Sequence, residues 1–304
     1  MMRLQQSGYS LGCDILLTLS LDKEKTAEGL FKSLWVIINN FNKKFSRFSV
    51  TSELTKVNLS AGQKTKVSQE FLKLTRISRD YCEKTNGFFN PFILPSLQKA
   101  GYKGSWPKVD DFDSQLDFSK RSSSFAASDI VIEKGFITIP LNSAIDFGGI
   151  GKGFLADKLA NFLLSKNVAN FWLSIGGEIV CSGQDNEDKS WQVGIAGIKD
   201  DRLVDSIDNK NGQTLAVATS GVTKRKGSGW HHIIDPRTLK PSKSNVLIAS
   251  VVANSCTLAD IYASCLVIEG EKFIEKIRNN TSVQKIVLQL NEKSHYKIKK
   301  IQIN

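Results

Sequence analysis

Two stretches carry side chains suited to work on phosphate. "AIDFGGIGKGFLAD" (144–157) sets Asp146 ahead of Gly148, Gly149, Gly151 and Gly153, with Lys152 among them, just where a helical pattern begins. Glycines so close together are costly to order, so they mark backbone that takes unusual dihedrals or approaches something closely. Backbone N–H groups at a helix start favour an anion. The spacing matches neither a Walker A loop, which needs an earlier glycine and Gly-Lys followed by Ser or Thr, nor the dinucleotide fingerprint G-x-G-x-x-G. Phosphate cradling and tight strand-to-helix packing both stay open on this segment alone. The second stretch, "LADIYAS", puts Asp260 and Ser264 at i and i+4 of a helix. Their oxygens then face one way and could share a hard cation such as magnesium.

Three more segments combine uncommon residues. "HHIIDPRT" sets His231 and His232 before an Asp-Pro turn, "LSIGGEIVCSG" ends a strand on Gly176 and Gly177, and "VATSGVTKR" places Thr219, Ser220 and Gly221 just after a strand. Histidine changes charge nearest neutrality, so either imidazole suits proton transfer. Each segment also has a plain structural reading: hairpin glycines, a capping acid, a solvated histidine, a helical serine bonded to its own turn.

The elements that must position these residues follow from hydrophobic periodicity. "CDILLTLSL" reads as a strand, and Leu30, Phe31, Leu34, Trp35, Ile38 and Phe41 recur at helical steps. "FSRFSVTSELTKVN" reads as a polar, turn-rich connection. A second helix starts at Ser68 as N-cap, runs through Phe71, Leu74, Ile77 and Tyr81, and stops at Asn86-Gly87. Pro91 and Pro95 then predict a shaped loop over "NGFFNPFILPSLQKAGYKG". Residues 129–141 read as two short strands around a Glu-Lys-Gly turn. Beyond the glycines comes a helix carrying Leu155, Leu159, Phe162 and Leu163, then strands in "NFWLSIGGEIVCSG", "WQVGIAGI", "QTLAVATSG" and "NVLIASVVA". "SCTLADIYASCLVIEG" is a helix with Ser255 or Thr257 as cap, and the tail is a hairpin around Asn291 and Glu292. With no repeat or linker, the chain reads as one mixed α/β unit.

Composition bounds the partners. The 304 residues are 41% hydrophobic and 23% charged, within the globular range. A net charge of +11 favours an anionic partner, yet the lysines are dispersed and lack interleaved aromatics, which argues against nucleic acid. Five widely spaced cysteines without C-x-x-C encode neither a disulfide framework nor a zinc site, and read as core residues in a reducing compartment. The N-terminus has no signal-like apolar region and no stretch reaches the length of a membrane span, so a cytoplasmic location without a transmembrane segment is expected. Oligomeric state is not encoded legibly.

In order along the chain, "SRFSVTSELTKVN", "GFFNPFILPSLQKAGY", "DFGGIGKGFLAD", "SIGGEIVCSG", "ATSG", "HHIIDPRT" and "ADIYAS" resemble the ApbE-type FAD:protein FMN transferase family, over about Leu11 to Gly270. The resemblance implies an α+β fold, a single unit spanning 1–304 of largely antiparallel sheets with packed helices. It implies that FAD is the substrate, that its pyrophosphate is split with magnesium, and that FMN is joined through a phosphoester to a Thr or Ser motif of an acceptor flavoprotein, releasing AMP. Residue by residue, Asp146 and Lys152 would contact FAD. The Gly149 carbonyl, Asp260 and Ser264 would hold magnesium, and Phe88, Phe89 and Asn90 would line the flavin site. His232 matches the family histidine, also among the FAD-binding residues, and is the best-suited base, which calls for a pKa near neutrality; His231 is the adjacent alternative. The sequence departs from the family at Asn90 (usually Asp), Ser264 (usually Thr) and Leu239 (usually Gly), so the Leu239 turn is expected to close differently. Two other activities stay in view: hydrolysis of FAD to FMN and AMP, and flavin binding without turnover.

Overall fold

Eight strands form the central sheet: β1 (Met2–Ser10), β2 (Cys13–Leu21), β3 (Phe171–Ile175), β4 (Glu178–Ser182), β5 (Leu215–Gly221), β6 (Val246–Ala253), β7 (Val283–Glu292) and β8 (His295–Gln302). They lie side by side in chain order, each antiparallel to its neighbours. The computed structural model describes residues 1–198, 202–292 and 295–303. Between β2 and β3 the chain builds α1 (Glu24–Phe45), α2 (Glu53–Leu59), α3 (Gln69–Lys84), α4 (Leu94–Ala100) and α5 (Gly151–Ser165); α6 (Cys256–Glu269) separates β6 from β7.

The strand alternation sorts side chains between two cores. On β5, Ala216 and Ala218 enter the main core under the helices, while Leu215 and Val217 join a smaller cluster with Trp191, Val193 and Ile207. That cluster is closed by the hairpin of Gln192–Ala196 and Leu203–Asp208. Small residues on β5 and β6 let α6 settle close against the sheet. Every residue of α6 except Ser264 and Glu269 is buried, the signature of a helix enclosed all round. Asp260 is therefore a carboxylate inside the core, which demands a compensating partner.

Four expectations need correction. The stretch expected as a turn-rich connection contains α2, because Ser52 caps it by accepting a bond from the Thr55 N–H at 3.0 Å. The segment expected as an irregular loop holds a short 3-10 turn, Pro91–Ile93, followed by α4. Both prolines fall in first turns, where a missing N–H breaks no hydrogen bond. Asn291 and Glu292 are strand residues paired with Tyr296 and His295; the hairpin exists, and its turn, Lys293–Ser294, lies outside the described residues. The Leu239 turn closes in the left-handed conformation that glycine favours, with φ of 58°. Its amide donates to the Asp235 carbonyl at 2.8 Å, holding the strained leucine in place.

Other expectations stand. Ser68 caps α3, which ends where Asn86 and Gly87 take positive φ, and Ser255, rather than Thr257, caps α6. All five cysteines are free and buried. Among the described residues no helix is long and apolar enough to cross a membrane.

Candidate functional site

A ring cluster fixes the glycine segment before any ligand chemistry enters. Phe147 packs edge-on against Phe45 and Phe71, with centroids 5.8 and 5.4 Å away. Two residues earlier, Ile145 exchanges both backbone bonds with the buried Asn58 amide, at 2.8 and 2.9 Å. Asp146 thus has little freedom: its N–H donates to the Pro91 carbonyl at 2.8 Å, and its Oδ2 accepts from the Gly148 N–H at 3.0 Å. A Cβ on residue 148 would lie 2.7 Å from that carboxylate oxygen, so any side chain there would push the acid out of the position in which it folds back on its own backbone.

Gly153 serves a different purpose. Its Cβ would meet the Cys256 carbonyl at 2.5 Å, so its absence lets α5 touch α6, and the Gly153 N–H donates to Asp260 Oδ2 at 3.1 Å. The junction is locked by Asp157, whose carboxylate accepts from the Cys256 and Thr257 amides at 2.8 and 2.9 Å and from both neighbouring hydroxyls. An acid at that helix N-terminus satisfies orphan donors and the dipole together. The register of Lys152 on α5 against Asp260 on α6 is set by these contacts.

Lys152 is ion-paired with Glu178, which is 1% exposed and leads β4. Burial disfavours the ammonium, but the Glu178 and Asp260 charges outweigh it and raise the Lys152 pKa. Burial, reinforced by the Glu178 charge, pushes Asp260 up to about 7. The other Glu178 oxygen has no partner. This corner holds two carboxylates against one lysine, an imbalance that a cation would relieve. Ser264, one turn along α6, shares a hydrogen bond with Ser220 at 2.9 Å. No group of three His, Cys, Asp or Glu side chains converges among the described residues. The donors available beside Asp260 are therefore oxygens of hydroxyl and carbonyl type, which suit a hard ion.

His232 lies within reach of the Arg225 and Lys152 charges. Its Nδ1 lies 3.2 Å from the Arg225 carbonyl, so Nδ1 carries the proton and Nε2 keeps a lone pair. Burial, then the Arg225 charge, pushes its pKa down to about 3, well below the near-neutral value expected from sequence. His231 points elsewhere: it accepts from the Ile233 amide at 3.3 Å and donates through Nε2 to the Ser242 carbonyl at 3.0 Å.

All of the candidate residues, Phe88, Phe89, Asn90, Asp146, Gly149, Lys152, His232, Asp260 and Ser264, line one cavity of about 640 Å³. His231 does not. Asn90 contributes surface but little free polarity, because Oδ1 caps the 3-10 turn through the Phe92 amide at 2.9 Å and Nδ2 donates to the Phe125 carbonyl at 3.0 Å. Phe88 is clamped between Arg237, 4.5 Å from its ring, and Phe273. Sequence reading missed Glu178 and Arg225. Glu178 had a signal, a charged residue in phase with core Val180 on an alternating strand; Arg225 had none, since one more basic residue in "TKRK" is unremarkable.

The ApbE family model matches residues 11–287. A Haemophilus influenzae protein named FAD:protein FMN transferase is 26% identical over 277 residues, covering 86% of this chain and 79% of its own length. One of the same name from Vibrio cholerae is 26% identical, covering 78% and 72%. Among solved structures, the flavin transferase ApbE of Vibrio cholerae superposes with a TM-score of 0.81 at 23% identity, over 98% of this chain and 97% of that one. The ApbE protein of Thermotoga maritima gives 0.82 at 21% identity, over 97% and 96%. These structures share the α+β fold with its antiparallel sheet.

Proposed function

The chain belongs to the ApbE family, and from that premise we propose that it is a magnesium-dependent FAD:protein FMN transferase acting on a Thr or Ser of an acceptor flavoprotein, as a single catalytic unit. The observation that carries this reading is the convergence of candidate residues from four separated segments on one cavity, with a half-buried lysine and a buried carboxylate at its charged corner. Magnesium bound by the Gly149 carbonyl, Asp260 and Ser264 would supply Lewis-acid neutralisation of the pyrophosphate. Lys152 adds a fixed positive charge beside it, and Asp146 lines the approach.

The acceptor hydroxyl oxygen bonds to the phosphorus of the FMN half while the bond to the AMP oxygen breaks, and AMP carries away the electron pair. The hydroxyl proton passes to His232 Nε2. In the empty cleft His232 is a weak base because positive charges from Arg225 and Lys152 add to burial. The dianionic pyrophosphate offsets those charges, so substrate binding raises the basicity of the imidazole when it is needed. The free, buried cysteines accord with a cytoplasmic setting.

Incubating the protein with FAD, magnesium and a candidate acceptor should yield AMP and an acceptor mass gain equal to FMN. AMP without any mass gain would replace transfer by hydrolysis. FAD surviving intact would leave only flavin binding.

A further inference from the structure

One cation of the cavity has no task in this scheme. Arg47 follows α1 and lines the same cavity. Its guanidinium carbon lies 4.4 Å from the ring centre of Phe48 and 4.5 Å from that of Tyr102. Nη1 donates to the Tyr102 carbonyl at 3.2 Å. Nη2 is buried and has no hydrogen-bond partner. A buried charged donor without an acceptor is destabilising, and the few polar groups of a largely apolar pocket are the ones that orient its ligand.

We propose that Arg47 is a binding residue for the flavin ring, with Nη2 donating to a carbonyl oxygen of its pyrimidinedione edge. The inference rests on the transferase reading above and adds how the ring is held. A guanidinium only donates. The dione edge offers two carbonyl acceptors to a donor-only group, whereas adenine has no carbonyl and sets a donor amino group beside its ring-nitrogen acceptors. In that reading the phosphates are already served by Lys152. Between Phe48 and Tyr102 the guanidinium is held as a flat plate, the geometry for meeting a planar ring at its edge.

Arg47→Met and Arg47→Lys are to be titrated with riboflavin, FMN and AMP separately, alongside thermal melts. Arg47→Met should weaken riboflavin and FMN by a similar factor, about 10- to 100-fold, and leave AMP binding unchanged. Arg47→Lys should recover only part of the loss, because an ammonium lacks the fork. Loss for FMN without loss for riboflavin would make Arg47 a phosphate ligand and overturn the proposal. Loss confined to AMP would overturn it in favour of adenine. Equal loss for all three ligands with a lowered melting temperature would reduce Arg47 to a tether for Tyr102. Wild-type protein that binds no flavin sinks the transferase reading and this one with it; unchanged flavin binding by Arg47→Met sinks this one alone.

Discussion

Lys152, Glu178 and Asp260 are presented by α5, β4 and α6, elements packed into the main core and joined by Asp157 and Gly153. Arg47, Tyr102, Trp230 and His232 come instead from loops and a two-residue strand, and rings hold them: Tyr102 stacks on Trp230 at 6.0 Å and meets His232 edge-on at 6.2 Å. On the transferase reading proposed above, charges that neutralise a pyrophosphate would gain most from fixed positions in a low-dielectric setting. Rings and loop-borne groups tolerate small shifts, which would suit contact with a flavin ring and an incoming protein segment.

The contrast is broken most severely at the proposed metal ligand. Asp260→Ala should lower magnesium-dependent AMP release by roughly 1000-fold or more while the melting temperature at neutral pH holds or rises, since a carboxylate whose pKa burial raises to about 7 costs folding stability as the pH climbs from the ordinary carboxylate range towards 7. Undiminished release would mean that the cation sits elsewhere. Lys152→Met should cost about 3 kcal/mol or more in denaturant unfolding, because it strands Glu178 without its counter-charge. Adding Glu178→Gln should restore much of that stability without restoring activity, separating the lysine's structural duty from its chemical one.

Gly153→Ala tests the rigidity of the same side. Its methyl would be driven into the Cys256 carbonyl, so a loss of about 1–3 kcal/mol is expected, with a fall in activity as Lys152 and Asp260 separate. The smallest effect belongs to the turn after Asp235. Leu239→Gly relieves a left-handed leucine at the expense of a more flexible unfolded chain, and should leave stability unchanged or raise it by about 1 kcal/mol. A clear loss there would show that the leucine side chain, not the turn geometry, holds the loop.

Much of this was legible in one dimension. Strands and long helices announced themselves through apolar spacing, and Asp260 with Ser264 followed from helical geometry once the helix was recognised. The errors lie where local composition and local structure part. Seven residues capped by Ser52 were too short and too polar to register as α2. Pro91 and Pro95 read as breakers because their place in first turns depends on where the preceding helix ends. Leu239 shows the converse, a residue type that argues against the conformation its surroundings impose.

Sequence alone determined the inventory: which groups exist, on which kind of element, and through motif order which family they belong to. Only the tertiary structure decided that Glu178 answers Lys152, that Arg225 holds the His232 tautomer and depresses its basicity, and that Arg47 has an unmet donor. Those are relations between residues far apart in the chain. Burial and charge act through distance in space, and nothing in the local pattern of a segment encodes which distant charge will come to lie against it.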